Sequence, residues 1–210
     1  MQAKTVQAVL LLTPRHADPA RLHGALEAAA VPGTRLFEVF HGAPDLGGTW
    51  TSAVEVDGPD PDAVAAAASA VRAAAGEELD PERSMVVAGD RAVLFGDPGA
   101  VQIFFTLFRR DGTSHQEFVD HWRDVHATFV RPGGDRRAYV QLYADLDATA
   151  DLTAVLGFAA HEVDGIAMPS FDTPEALQSA LTTNFDPDEA EDLAAFTEAD
   201  QGRGAALRRV

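Results

Sequence analysis

Short apolar runs alternate with stretches of helical periodicity along this chain. The run from Val6 to Leu12 is β-rich and too short for a helix, and predicts a buried strand. Residues 18–30 predict a helix, with Asp18 and Pro19 as its start signal and Pro32-Gly33 just past its end. Strands are predicted at 34–41 and 49–57, and an alanine-rich helix at 61–76. Residues 84–95 read as two short strands or one bent strand around Gly89-Asp90. The glycine and proline of Phe95–Ala100 mark a linker.

The second half repeats this order. Val101-Gln102 opens an apolar run as Val6-Gln7 does, 95 residues earlier, and the runs end at Arg110 and Arg15. A helix is predicted at 114–129, strands at 137–146 and 162–171, helices at 172–181 and 187–199, and a last strand at 204–210. The pattern β-α-β-β-α-β, twice, is the ferredoxin-like arrangement, so the fold class is α+β. The expected units are 1–97 and 98–210. Each has one bare sheet face, and the two faces can bury each other.

The chain has 210 residues, 46% hydrophobic, with a net charge of −17 and no cysteine. That charge disfavours nucleic acid and anionic membrane surfaces as partners. No apolar run approaches the ~18 residues of a membrane helix, and the N-terminus reads as a strand, not a signal peptide. Without cysteine there is no thiolate nucleophile or disulfide, and a cytoplasmic location is the expectation. Lys4 is the sole lysine, at the chain's start, which disfavours P-loop and Schiff-base chemistry.

The helix at 114–129 carries the densest chemistry. Ser114 and Glu117 fit a capping box. Phe118, Trp122, Val125 and Phe129 share one helical face. His126 borders that stripe, either as a half-buried histidine at a helix end or as a general acid–base group. His115 and His121 are expected to be exposed. No metal site is expected: His115 and His126 lie roughly 16 Å apart along a helix, and His121 and His126 point about 140° apart on the wheel.

In the strand at 137–146, Ala138, Val140, Leu142 and Ala144 alternate with Tyr139, Gln141 and Tyr143. The polar row either faces water or the other half, or lines a pocket where a phenol donates to a substrate oxygen. His161 and Asp164 are weaker candidates on the next strand. No Gly-x-Ser-x-Gly elbow occurs, and Gly202-Arg-Gly204 lacks the strand and helix of a dinucleotide site. The acids of 186–192 read as a solvated helix start, with a calcium loop as a remote alternative.

The second half resembles the EthD family of the dimeric α+β barrel superfamily. The resemblance rests on Phe108-Arg-Arg, on Ser114-x-x-Glu117-Phe118-x-x-x-Trp122-x-x-x-His126, on Tyr139-Val-Gln141, and on Asp164-Gly165 before Phe171-Asp172 and Pro174-Glu-Ala-Leu177. It implies a ferredoxin-like unit that pairs into a barrel. Here the first half would supply the second unit, giving a pseudo-dimeric barrel in one chain, as a monomer or a homodimer. The first half lacks the Trp-x-x-x-His helix and the Tyr-x-Gln row, so one pocket is expected, in the second half.

The expected function is an enzyme doing acid–base chemistry on a small apolar carbonyl or phenolic metabolite, as a dehydratase, cyclase, isomerase or decarboxylase. His126 would move the proton, Tyr139 or Tyr143 and Gln141 would hold the oxygen, and Trp122 and Phe104 would wall the site, with His161 nearby. No cofactor is expected, with haem as the alternative that the resemblance allows. The competing readings are an oxidoreductase, either cofactor-free or haem-using, and a non-catalytic ligand-binding accessory protein.

Overall fold

Strict alternation of inward and outward side chains builds one closed sheet. The computed structural model describes residues 6–182 and 186–210; Lys4 lies outside the described residues. The first half contains β1 (Val6–Leu12), α1 (Pro19–Ala29), β2 (Thr34–Val39), β3 (Asp45–Leu46), β4 (Ser52–Gly58), α2 (Pro61–Ala75) and β5 (Met85–Phe95). The second contains β6 (Val101–Leu107), α3 (His115–Asp124), β7 (Ala138–Ala144), α4 (Leu146–Leu156), β8 (Gly165–Phe171), α5 (Pro174–Thr182), α6 (Pro187–Phe196) and β9 (Gly204–Arg209).

The strand order is β2-β4-β1-β5-β7-β8-β6-β9, with β3 beyond β9, and β2 also pairs with β9. Eight antiparallel strands thus close a barrel. Each half has the same internal order, its first strand next to its last, as a ferredoxin-like unit requires. The halves join through β5–β7 and β2–β9. The 95-residue echo is structural: Val6 and Val101 open the equivalent strands β1 and β6.

The barrel interior is apolar at its centre. Val9, Leu11, Phe37, Val87, Phe104, Leu142, Ile166, Met168 and Leu207 pack there, with Phe37 and Phe104 edge to face at 5.1 Å. Every strand residue one place away points outward, under the helices. Burial on both faces removes apolar area from water twice over, at about 25 cal/mol per Å².

The predicted helix at 114–129 is shorter. Its capping box forms, but α3 ends at Asp124 and a 3-10 turn, His126–Thr128, follows. The tighter turn rotates the chain off the helical wheel, so Val125 is exposed and His126 is buried. Residues 84–95 are one strand, not two. α4 was not foreseen. Asp145 caps it, Gly157 ends it in the left-handed conformation, and its Thr149 hydroxyl bonds the backbone of Ala88 in β5.

Candidate active site

Between the outer face of the second-half sheet and α5 and α6 lies a half-open cavity of about 210 Å³. Alternation on β6 delivers Ile103, Phe105 and Leu107; β7 delivers Tyr139; β8 delivers Ala167 and Pro169. Leu181 comes from α5, and Glu189, Ala190 and Leu193 from α6. His126 enters from the 3-10 turn, and Leu46 of β3 completes the wall. The lining is apolar apart from His126, Tyr139 and Glu189.

His126 is 1% exposed. Its Nδ1 donates to Asp192 Oδ2 at 2.8 Å, and the other carboxylate oxygen accepts from His121 Nε2 at 3.0 Å. Asp192 therefore holds two histidines at once. The sequence placed these histidines on opposite flanks of one helix. The unwinding after Asp124 and the two oxygens of one carboxylate bring them to a common partner. Burial pushes the His126 pKa below its ordinary 6.5, against the upward pull of the Asp192 hydrogen bond and charge. The imidazole is thus neutral at pH 7, with Nδ1 protonated. Nε2, the basic nitrogen, has no hydrogen bond to any described residue.

Tyr139 is raised well above the usual phenol range, by burial first and then by the charge of Glu189. It keeps its proton and is a donor, not a base. The Glu189 carboxylate is itself clamped by Arg136, at 3.1 Å, and that guanidinium lies 5.4 Å from the centre of the Tyr139 ring.

The remaining predicted residues stand elsewhere. Tyr143 donates to Gln141 Oε1, and burial pushes its pKa up to about 12. Gln141 Nε2 donates to the Trp122 carbonyl at 3.4 Å. Trp122 packs edge to face on Tyr143 at 5.2 Å. These three form the packed layer beside the cavity and contribute no lining. Phe104 faces the barrel interior, because it alternates with the cavity-facing Ile103 and Phe105. His161 is exposed in the loop before β8, on a separate polar hollow of about 500 Å³ with Arg109 and Arg110.

Asp164 and Gly165 have structural explanations. Buried Asp164 accepts from the Arg109 guanidinium at 2.6 Å and from His115 at 2.8 Å. His115 is thus engaged, not free in solvent. A Cβ on Gly165 would lie 2.3 Å from the Trp122 ring, so only glycine seats that indole.

Asp192, Glu189 and Leu46 were missed by sequence reasoning. The acids of 186–192 were read as solvated, but Glu189, Asp192, Leu193 and Phe196 recur at helical spacing and share the inner face of α6. That interleaving of acids with apolar residues was the available signal. For Leu46 there was none.

The site meets part of a haem's needs. His126 has the chemistry of an iron ligand, with its second nitrogen fixed by a carboxylate. The cavity does not fit the macrocycle: it falls below the ~300–1,000 Å³ of ordinary ligand pockets, and among the described residues no arginine or lysine lines it to meet propionates. Among the described residues, no three His, Asp or Glu side chains converge as a metal site.

No curated protein matches the sequence. The fold matches solved structures. A candidate monooxygenase from Fusobacterium nucleatum subsp. nucleatum aligns at a TM-score of 0.61 and 9% identity, over 100% of this chain and 94% of that one. A candidate monooxygenase from Lactobacillus acidophilus NCFM aligns at 0.56 and 10%, over 98% and 94%. A variant chlorite dismutase from Candidatus Nitrospira defluvii aligns at 0.54 and 8%, over 99% and 92%. At such identities the likeness is one of fold, the dimeric α+β barrel. The EthD domain model matches residues 110–200, which hold α3, the His126 turn, β7 and α6. The second half of this fused barrel thus carries a match to the EthD domain model.

Proposed function

We propose that this chain is an enzyme of small-molecule metabolism that moves a proton on an apolar carbonyl or phenolic compound. The observation that carries the reading is the His126–Asp192 pair on a largely apolar cavity. Neutral His126 takes the substrate proton at Nε2, and the resulting imidazolium is stabilised by Asp192 through Nδ1–H. Tyr139, kept protonated, donates to the oxygen on which charge gathers. The apolar lining strengthens both interactions. Dehydration, cyclisation, isomerisation and decarboxylation all use this pair of roles.

An oxygenase reading uses the same first step, with His126 deprotonating a phenol ahead of oxygen attack. It is favoured by the monooxygenase descriptions of two proteins that share the fold. The test is turnover of a panel of small ketones and phenols, with dissolved oxygen and the visible spectrum followed in parallel. In His126→Gln, turnover is expected to fall by about 10²- to 10⁴-fold. Full turnover in that variant sinks the role. Oxygen uptake linked to turnover, or a Soret band, moves the assignment to the oxidoreductase reading. Tight ligand binding without turnover makes the protein a binder.

A further inference from the structure

One wall of the cavity comes from outside the EthD match. Leu46 belongs to the first half, on the two-residue strand β3, which pairs with β9 through Leu46–Gly204 and Asp45–Ala205. Its seat is specifically built. Gly204 has no side chain, and a Cβ there would lie 2.7 Å from the Phe105 ring and 3.1 Å from the Leu46 Cβ. The bare backbone lets Leu46 settle beside Phe105, a cavity residue.

The turn behind Leu46 is equally constrained. The Asp45 carboxylate accepts from Gly47 N–H at 2.9 Å, and Gly47 takes φ +81°, where glycine is favoured. Gly48 N–H donates to the Gly204 carbonyl at 2.9 Å, and a Cβ on Gly48 would lie 2.5 Å from that oxygen. Three glycines thus hold one leucine against the second half's cavity.

We infer that Leu46 is the specificity-determining residue of this site, limiting it to apolar compounds of about one ring. The inference rests on the cavity being the ligand site. A half-open cavity of about 210 Å³, walled mostly by leucine, isoleucine and phenylalanine with His126, Tyr139 and Glu189 as its polar groups, has room for a guest of about benzene size. Truncating Leu46 extends it toward the first half, and enlarging Leu46 fills it.

The experiment is calorimetric binding of two probes, phenol and 1-naphthol, to the full chain and to Leu46→Ala and Leu46→Phe. Circular dichroism monitors folding, and Leu46→Val replaces the alanine variant if that fails to fold. The wild type is expected to prefer phenol. Leu46→Ala should bind 1-naphthol about tenfold or more tighter than the wild type does, with phenol nearly unchanged, and Leu46→Phe should weaken phenol by a similar factor. Adding Leu193→Trp, which fills the cavity from α6, should abolish naphthol binding and so locate it. Phenol binding with an unaltered size preference in the variants overturns the Leu46 assignment alone. No binding of either probe to any of these proteins overturns the cavity reading and the Leu46 assignment together.

Discussion

His126 is the residue on which the site turns, and its neighbours set its proton affinity in opposite directions. Burial lowers the pKa, while Asp192 raises it by hydrogen bond and charge. In Asp192→Asn the two largest raising influences go, while burial and the smaller pull of the Glu189 charge remain. The His126 titration, followed by histidine NMR, should therefore move below its wild-type position, and the Nδ1–H tautomer should lose its fixed partner. The stability consequence has a definite sign. His126 releases its proton on folding, so its contribution is complete above its ordinary pKa of 6.5 and is lost as pH falls through the depressed folded value. Asp192→Asn lowers that folded value, so acid destabilisation, read from melting between pH 7.5 and 5, should continue to lower pH than in the wild type. An unmoved or raised His126 pKa in the variant would contradict the arrangement.

At the scale of elements, amphipathic pattern and caps predicted most of the helices and strands, because each satisfies a local rule. Ser114 and Glu117 announce α3, and Asp18 and Pro19 announce α1. What escaped was set by distant contacts. Nothing local says that α3 stops at Asp124, and it is the Asp192 clamp from α6 that fixes the turn carrying His126. Likewise the Tyr139-x-Gln141-x-Tyr143 row was legible as one face. That only Tyr139 reaches the cavity depends on how far α3 covers β7. The joint between α3, β6 and β8 is a buried charge cluster, and it carries its own prediction. Asp164→Asn leaves the Arg109 guanidinium without its counter-charge and His115 without the carboxylate it bonds. The expected loss is about 2–3 kcal/mol in urea unfolding, below the ~3–5 of a fully buried pair because Arg109 keeps partial solvent access. A loss under about 0.5 kcal/mol would show that the cluster contributes nothing net.

Across the whole molecule, the two halves are one barrel by construction, and that limits what either can do alone. The repeat was visible in the sequence as Val6-Gln7 and Val101-Gln102, and the barrel was what the resemblance implied; which strands close it, β5 with β7 and β2 with β9 across the halves, was not. A second-half fragment, 98–210, would expose Phe104, Leu142, Ile166, Met168 and Leu207 together. It would also leave the edges of β7 and β9 unpaired. A bare apolar sheet with two free edges associates with its own kind. The fragment should therefore run as a dimer or larger species in light scattering, with a lower melting temperature than the full chain. It should also lose the Leu46 wall, so that a soluble dimer would take up 1-naphthol that the intact chain excludes. A stable monomeric fragment would show instead that the second half closes its core without the first. The first half would then be a partner to the second half and not a part of its barrel.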